Sequence, residues 1–140
     1  MSESLIQWID FPILGDERGS LIALEADRVV PFPIKRVYYI FNTADGVSRG
    51  FHAHRDLKQL AVCVKGSCTM MVNNGYSSES AVLDTPTRGL LIENLIWREM
   101  HNFSADCVLL VLASKPYDEA DYIRNYDDFI EETRRAARRS

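Results

Sequence analysis

Short apolar, β-rich runs recur along the chain, each bounded by turn-forming residues. They lie at residues 6–9, 20–25, 36–41, 60–64, 68–72, 80–83, 89–92 and 107–113. Between them fall Gly15-Asp16, Asp45-Gly46, Lys65-Gly66, Asn73-Asn74-Gly75 and Thr85-Pro86-Thr87, all of them turn chemistry. Asn74-Gly75 between two β-like runs is a hairpin signal. Many short strands at this spacing predict an all-β fold, an antiparallel sandwich or barrel. Only the tail is helical in pattern, over residues 118–121 and then 126–139. Its acidic residues come early (Asp127, Asp128, Glu131, Glu132) and its arginines late (Arg134, Arg135, Arg138, Arg139), which complements a helix dipole. The arginine cluster reads as a solvated helix end.

No linker, repeat or composition break divides the chain, so residues 1–140 read as a single domain. Hydrophobic residues make up 46% and charged residues 26%, the balance of a globular protein. A net charge of -4 argues against a nucleic-acid partner, which needs a basic face. It leaves room for a phosphorylated small molecule, because a few local arginines suffice to hold one. The chain opens without a basic-then-apolar leader pattern, and no run reaches the roughly 18 apolar residues of a membrane span. Cys63, Cys68 and Cys107 lie in apolar strand-like segments without CxxC spacing, and read as reduced core thiols. The expectation is a cytoplasmic protein with no membrane partner.

Candidate chemistry concentrates in Arg49-Gly50-Phe51-His52-Ala53-His54-Arg55-Asp56-Leu57-Lys58-Gln59, which holds two of the chain's three histidines. In an extended strand residues i and i+2 share a face, so His52 and His54 are expected to project together, with Gln59 close by. Two imidazoles on one face suit metal ligation or proton transfer near neutral pH.

The spacing His52-x-His54, four residues, Gln59, six residues, Gly66 resembles the first motif of the cupin jelly-roll superfamily. Where metal-dependent cupins place a glutamate ligand stands Gln59, a poor ligand for a divalent cation. The region of the second cupin motif departs as well, with Asn94, Ile96 and Arg98-Glu99 where a Pro-x-Gly turn and a third histidine are usual. His101 falls late for that ligand and reads as structural.

A narrower resemblance runs from about residue 16 to residue 129. The segments at residues 34–41 and 49–54, Trp97-Arg98-Glu99-Met100-His101-Asn102-Phe103-Ser104, Val111-Leu112-Ala113-Ser114 and residues 117–126 are similar to the sugar-nucleotide 3,4-ketoisomerases. That resemblance implies a cupin jelly roll with a short C-terminal helix, no metal and no cofactor. It implies a homodimer with exchanged N-terminal strands. It also implies a reaction that moves the carbonyl of dTDP-4-keto-6-deoxy-D-glucose from C4 to C3, feeding an aminotransferase that makes 3-amino-3,6-dideoxyhexoses for surface glycans or antibiotics.

The reaction requires a base and an acid on one face of the sugar, with donors for the developing oxyanion. By the family's pattern His52 is the base at C3, and His54 its partner in proton shuttling or orientation. Tyr39, expected on a strand beside the paired histidines, is a candidate partner of the sugar hydroxyls or the enolate. Arg18 and Arg49 are candidates for the diphosphate or the sugar oxygens, since a guanidinium fork fits phosphate. Gln59 is a candidate sugar ligand. By the same family pattern Arg98 stands near the face at which C4 receives its proton. Its guanidinium does not readily give one up, which favours the gluco product, although Arg18 leaves the configuration open. The competing readings are a dTDP-sugar 3,5-epimerase, a metal-dependent cupin using His52, His54 and His101, and a non-catalytic sugar-binding cupin.

Overall fold

The computed structural model describes residues 4–139. Two five-stranded antiparallel sheets form its framework. The first takes the order β1–β9–β6–β11–β4, from β1 (Gln7–Asp10), β9 (Arg88–Ile92), β6 (Gln59–Lys65), β11 (Val108–Ala113) and β4 (Arg36–Phe41). The second takes the order β12–β5–β10–β7–β8, from β12 (Tyr122–Ile123), β5 (Arg49–His54), β10 (Trp97–His101), β7 (Cys68–Asn73) and β8 (Ser78–Leu83). A separate hairpin joins β2 (Leu14–Asp16) to β3 (Gly19–Leu21). Among the described residues one α-helix, α1 (Tyr126–Arg139), follows β12.

Alternation along the strands places the core. Ala61 and Cys63 of β6 and Leu109 and Val111 of β11 point across to Met70 and Val72 of β7 and Met100 of β10, forming one apolar layer between the sheets. Leu60, Val62 and Leu112, from the opposite face of the first sheet, lie under Phe11, Val30 and Phe32 of the N-terminal segment. The run predicted as a strand over residues 20–25 is therefore only partly one. It leaves the ladder after Leu21, and Ile22 and Leu24 act as apolar cover for the first sheet. The Asn74-Gly75 hairpin forms as predicted between β7 and β8, with Asn74 N–H on the Ser77 carbonyl at 3.2 Å.

Helix α1 begins where Asn125 Oδ1 accepts from the Asp128 N–H at 3.0 Å, an N-terminal cap. Asp127 and Asp128 occupy its first turn and Arg138 and Arg139 its last. It lies on the outer face of the second sheet, where Phe129 is fully buried against Trp97, Ala53 and Ile123. Trp97, β12 and β5 thus share one packing surface with the helix. Residues 118–121, read as helical, form a single 3-10 turn (Glu119–Asp121) capped by the Asp118 side chain.

Phe129→Ala should remove this wedge and cost about 3–5 kcal/mol, the range for deleting a buried aromatic side chain. Urea unfolding checks this, and a loss below about 1 kcal/mol would mean that the helix does not brace β5.

Candidate active site

Strand β5 carries an irregularity that aims the histidines. In its register with β10, His52 faces Arg98 and Gly50 faces Glu99, so Phe51 is an extra residue. Gly50 (φ 92°) and Phe51 (φ 60°) both take positive φ. A side chain at Gly50 would come within 3.0 Å of the Arg98 carbonyl oxygen, which explains glycine there. Phe51 has no such licence, and its left-handed backbone costs about 1–3 kcal/mol that the surrounding sheet must hold. After the bulge the strand alternates regularly, and His52 and His54 project between the sheets with ring centroids 5.0 Å apart and planes at 86°.

The second imidazole is almost sealed: His54 is 1% exposed and His52 8%. Tyr122 of β12 packs on both rings, at 4.3 Å from His54 and 5.0 Å from His52. Asp121 Oδ2 lies 3.1 Å from His54 Nδ1, while its Oδ1 accepts from the Asp56 N–H at 2.8 Å. Burial, and after it the Arg98 charge, depresses the His52 pKa from 6.5 to about 4. The same two causes, in the same order, hold His54 far below the ordinary imidazole range. Both rings are therefore neutral at pH 7. With its proton on Nδ1, donated to Asp121, His54 keeps a free lone pair on Nε2. That atom and His52 Nδ1 are buried without a hydrogen-bond partner in the protein. Such atoms are costly unless a ligand, water or reacting proton meets them.

Opposite the pair runs a polar chain. Arg98, 2% exposed, donates through Nη1 to Gln59 Oε1 and through Nε and Nη2 to the Ile96 carbonyl, at 3.3 and 3.2 Å. Gln59 Nε2 in turn donates to Tyr38 Oη at 3.1 Å. Tyr38 therefore accepts from Gln59 and keeps its own proton to donate elsewhere. Burial, the largest cause, raises the Tyr38 pKa, so the phenol stays protonated. Burial lowers the pKa of Arg98 to about 10, which still leaves it a cation at neutral pH.

Two cavities open beside the histidines. The larger, about 470 Å³, is lined by His52, Tyr38, Arg36, Arg49, Tyr122 and Arg124, with Met100 and Tyr117 among its other walls. The smaller, about 280 Å³, reaches His54 and Asp121 past Arg55 and Lys115. Arg36 and Tyr122 border both. Arg36 lies over the rings of Tyr38 and Tyr117, and its Nε is buried without a partner.

The structure thus brings together His52, His54, Gln59, Arg98 and Arg49. It separates Tyr39 and Arg18 from them. Tyr39 was expected beside the paired histidines, but β4 pairs with β11 in the other sheet. Its alternation turns Arg36, Tyr38 and Ile40 inward, and Val37, Tyr39 and Phe41 outward, leaving Tyr39 60% exposed. The inward phenol is Tyr38. Apolar or aromatic residues occupy both faces of this strand, so the sequence pattern alone did not distinguish the faces. Arg18 sits at the tip of the β2–β3 hairpin, its side chain 86% exposed and paired with Asp16 at 2.6 Å, and it lines neither cavity. His101 lies on the outer face of β10 between Ser48 Oγ at 2.6 Å and Glu99 Oε1 at 3.0 Å, so the three histidines do not form one ligand set. Arg36, Asp121, Tyr122 and Arg124 were not singled out from the sequence. Once β4 is docked with Tyr38 inward, its alternation puts Arg36 on the same face, whereas the others arrive from the far end of the chain through β12.

Comparison with known proteins matches residues 4–134 to the family described as "FdtA: WxcM-like, C-terminal". The chain is 51% identical over 121 residues, 86% of its length and 87% of the relative's, to the TDP-4-oxo-6-deoxy-alpha-D-glucose-3,4-oxoisomerase of Aneurinibacillus thermoaerophilus. Its structure superposes with a TM-score of 0.90 and 42% identity on a histidine-to-asparagine variant of the 3,4-ketoisomerase of Thermoanaerobacterium thermosaccharolyticum, in complex with TDP-4-keto-6-deoxyglucose. That match covers 93% of this chain and 94% of the other. The TDP-quinovose 3,4-ketoisomerase of Campylobacter jejuni gives a TM-score of 0.87 at 48% identity, over 92% of this chain and 99% of the other. A cupin-like sandwich with two buried, neutral imidazoles, matched to these relatives over nearly its whole length, places the chain in the FdtA family, that of the sugar-nucleotide 3,4-ketoisomerases.

Proposed function

We propose that this protein converts TDP-4-keto-6-deoxy-D-glucose to the 3-keto isomer by proton transfer through an enediolate. The observation that carries this reading is the pair of buried, neutral imidazoles, His52 lining the 470 Å³ cavity and His54 the 280 Å³ cavity beside it, in a chain whose relatives are named for that isomerisation. The proton on C3 is acidic because its loss delocalises charge onto the C4 oxygen. Neutral His52 removes it. The O3 proton passes to O4 and C4 receives a proton, so the carbonyl moves to C3 with no oxidant or reductant consumed. Tyr38, held by Gln59 with its own proton free, donates to the oxyanion as charge develops. His54, fixed in one tautomer by Asp121, exchanges a proton with the reacting centre through Nε2. Arg36, Arg49 and Arg124 supply the positive wall that a diphosphate requires. The 3-ketone formed is the substrate an aminotransferase needs to place an amine at C3.

The second part of the proposal concerns assembly. Val37, Tyr39 and Phe41 present a row of apolar side chains on edge strand β4, each more than half exposed, and Ile13, Leu14 and Leu21 of the N-terminal segment are similarly bare. Such a patch fits a second copy of the chain. β1 pairs here with its own β9, from Gln7 opposite Leu91 to Asp10 opposite Arg88, and an exchanged strand would repeat this register in trans.

Proton NMR of the product formed in deuterated water should show carbonyl migration with solvent deuterium incorporated, the coupling at H4 reporting the C4 configuration. His52→Asn should lower turnover by about 10²–10⁴-fold while TDP still binds, and near-normal turnover would remove His52 from the base role. Because the free-enzyme His52 pKa is lowered to about 4, its basic form persists well below pH 6.5. The acid limb of kcat/KM is therefore expected near pH 4, and a limb at 6.5 would contradict a buried base. Asp121→Asn should cost about 10–100-fold in kcat by releasing the tautomer of His54, with KM little changed. For the assembly, light scattering should give a dimer mass that Phe41→Glu reduces to that of a monomer; a monomeric wild-type protein would overturn the exchanged arrangement.

A further inference from the structure

Toward the end of β6 remote from Gln59, the three cysteines converge. Cys63 Sγ lies 3.6 Å from Cys68 Sγ and 3.6 Å from Cys107 Sγ, and all three sulfurs fall within 4.8 Å of one another. The residues are 0%, 1% and 3% exposed. Two sulfurs on one ion at the ~2.3 Å metal–thiolate distance are separated by about 3.8 Å in tetrahedral geometry, close to the spacing found here. Thiolates select soft, thiophilic elements. Among the described residues no further histidine, cysteine or carboxylate joins the three, so the coordination number is three.

Charge then decides which element fits. The cluster belongs to the layer formed by Met70, Leu83, Leu90 and Leu109, which supplies no cation. A monovalent ion on three thiolates carries two negative charges and a divalent ion one, and an unpaired charge in an apolar core is strongly unfavourable. A trivalent centre is neutral. All three are free, buried cysteines. Neutral thiols condense with a hydroxylated trivalent centre without first ionising.

We propose that Cys63, Cys68 and Cys107 form a three-thiol site for a trivalent thiophilic element, with arsenic(III) as its representative. Three S–As bonds form and three As–OH bonds of arsenous acid break. The three thiol protons leave with the hydroxyls as water, and no atom changes oxidation state. The non-bonding pair of arsenic takes the fourth, ligand-free direction. The bound atom cross-links β6, β7 and the turn leading into β11. Because the sulfurs are sealed, capture is limited by local opening, and occupancy stabilises the folded chain.

The test uses the full chain, reduced with a phosphine and incubated with arsenite. These are the chain's only cysteines, so a thiol-bound arsenic can sit nowhere else. Intact-mass measurement should show one arsenic per chain with three protons lost. X-ray absorption should show three sulfur neighbours and no oxygen, and the melting temperature should rise. Zinc(II) at the same concentration should neither displace the arsenic nor raise the melting temperature. Cys107→Ser should convert the signature to two sulfurs and an oxygen; if that variant does not fold, the wild-type absorption spectrum still decides. No adduct after prolonged incubation in sub-denaturing urea, an oxygen neighbour in the wild-type complex, or displacement by zinc would each overturn the proposal.

Discussion

An imidazole taken out of water beside an immobile guanidinium can remain only in its neutral form, and the rest of this fold is arranged around two such rings. Burial and the Arg98 charge act in the same direction on both histidines. Keeping them neutral leaves basic lone pairs where water would otherwise have protonated or hydrogen-bonded them. The adjacent buried cation is tolerable because Gln59 Oε1 and the Ile96 carbonyl accept from it. Gln59 links this cation to Tyr38, so one amide orders two groups from different strands.

That arrangement depends on the sandwich more than on any local motif. The histidines come from the second sheet, and Gln59 and Tyr38 from the first. Across the gap between the sheets the polar groups sit at one end and the apolar layer fills the rest. The bulge at Gly50-Phe51 sets the direction of His52, and the strain in Phe51 is held by the ladder to β10. From outside, α1 and Trp97 press β5 and β12 into place, so a helix that contributes no residue to the cavity still governs the position of Tyr122 and Asp121. The polar end holds the two imidazoles with Arg98, Gln59 and Tyr38, and the cysteine end is dry.

Much of this was legible in the residue pattern, for identifiable reasons. The turn chemistry and the short β-rich runs specified an antiparallel sandwich because alternation and turns are local properties. The shared face of His52 and His54 followed from a period of two, whereas Gln59 and Arg98 were singled out by the resemblance to a known family and not by local pattern. The acidic-to-basic order along Tyr126–Arg139 marked the helix. The strand, turn, paired-histidine and helix inferences need only neighbours within a few residues.

What the tertiary structure alone decided is which face of a two-faced strand is inside, and which distant residues meet. Tyr38 and not Tyr39 enters the site because β4 docks on β11, and both faces of β4 carry apolar or aromatic side chains. Arg18 separates from the histidines because its hairpin stands off the sheets. Asp121 reaches His54 across 67 positions through β12, a strand of only two residues with too little pattern to be seen in advance. The meeting of three cysteines 5 and 44 residues apart likewise follows from the packing of one sheet on the other. Local periodicity is encoded in neighbouring residues, whereas strand order and sheet docking are settled by the total burial of the whole chain.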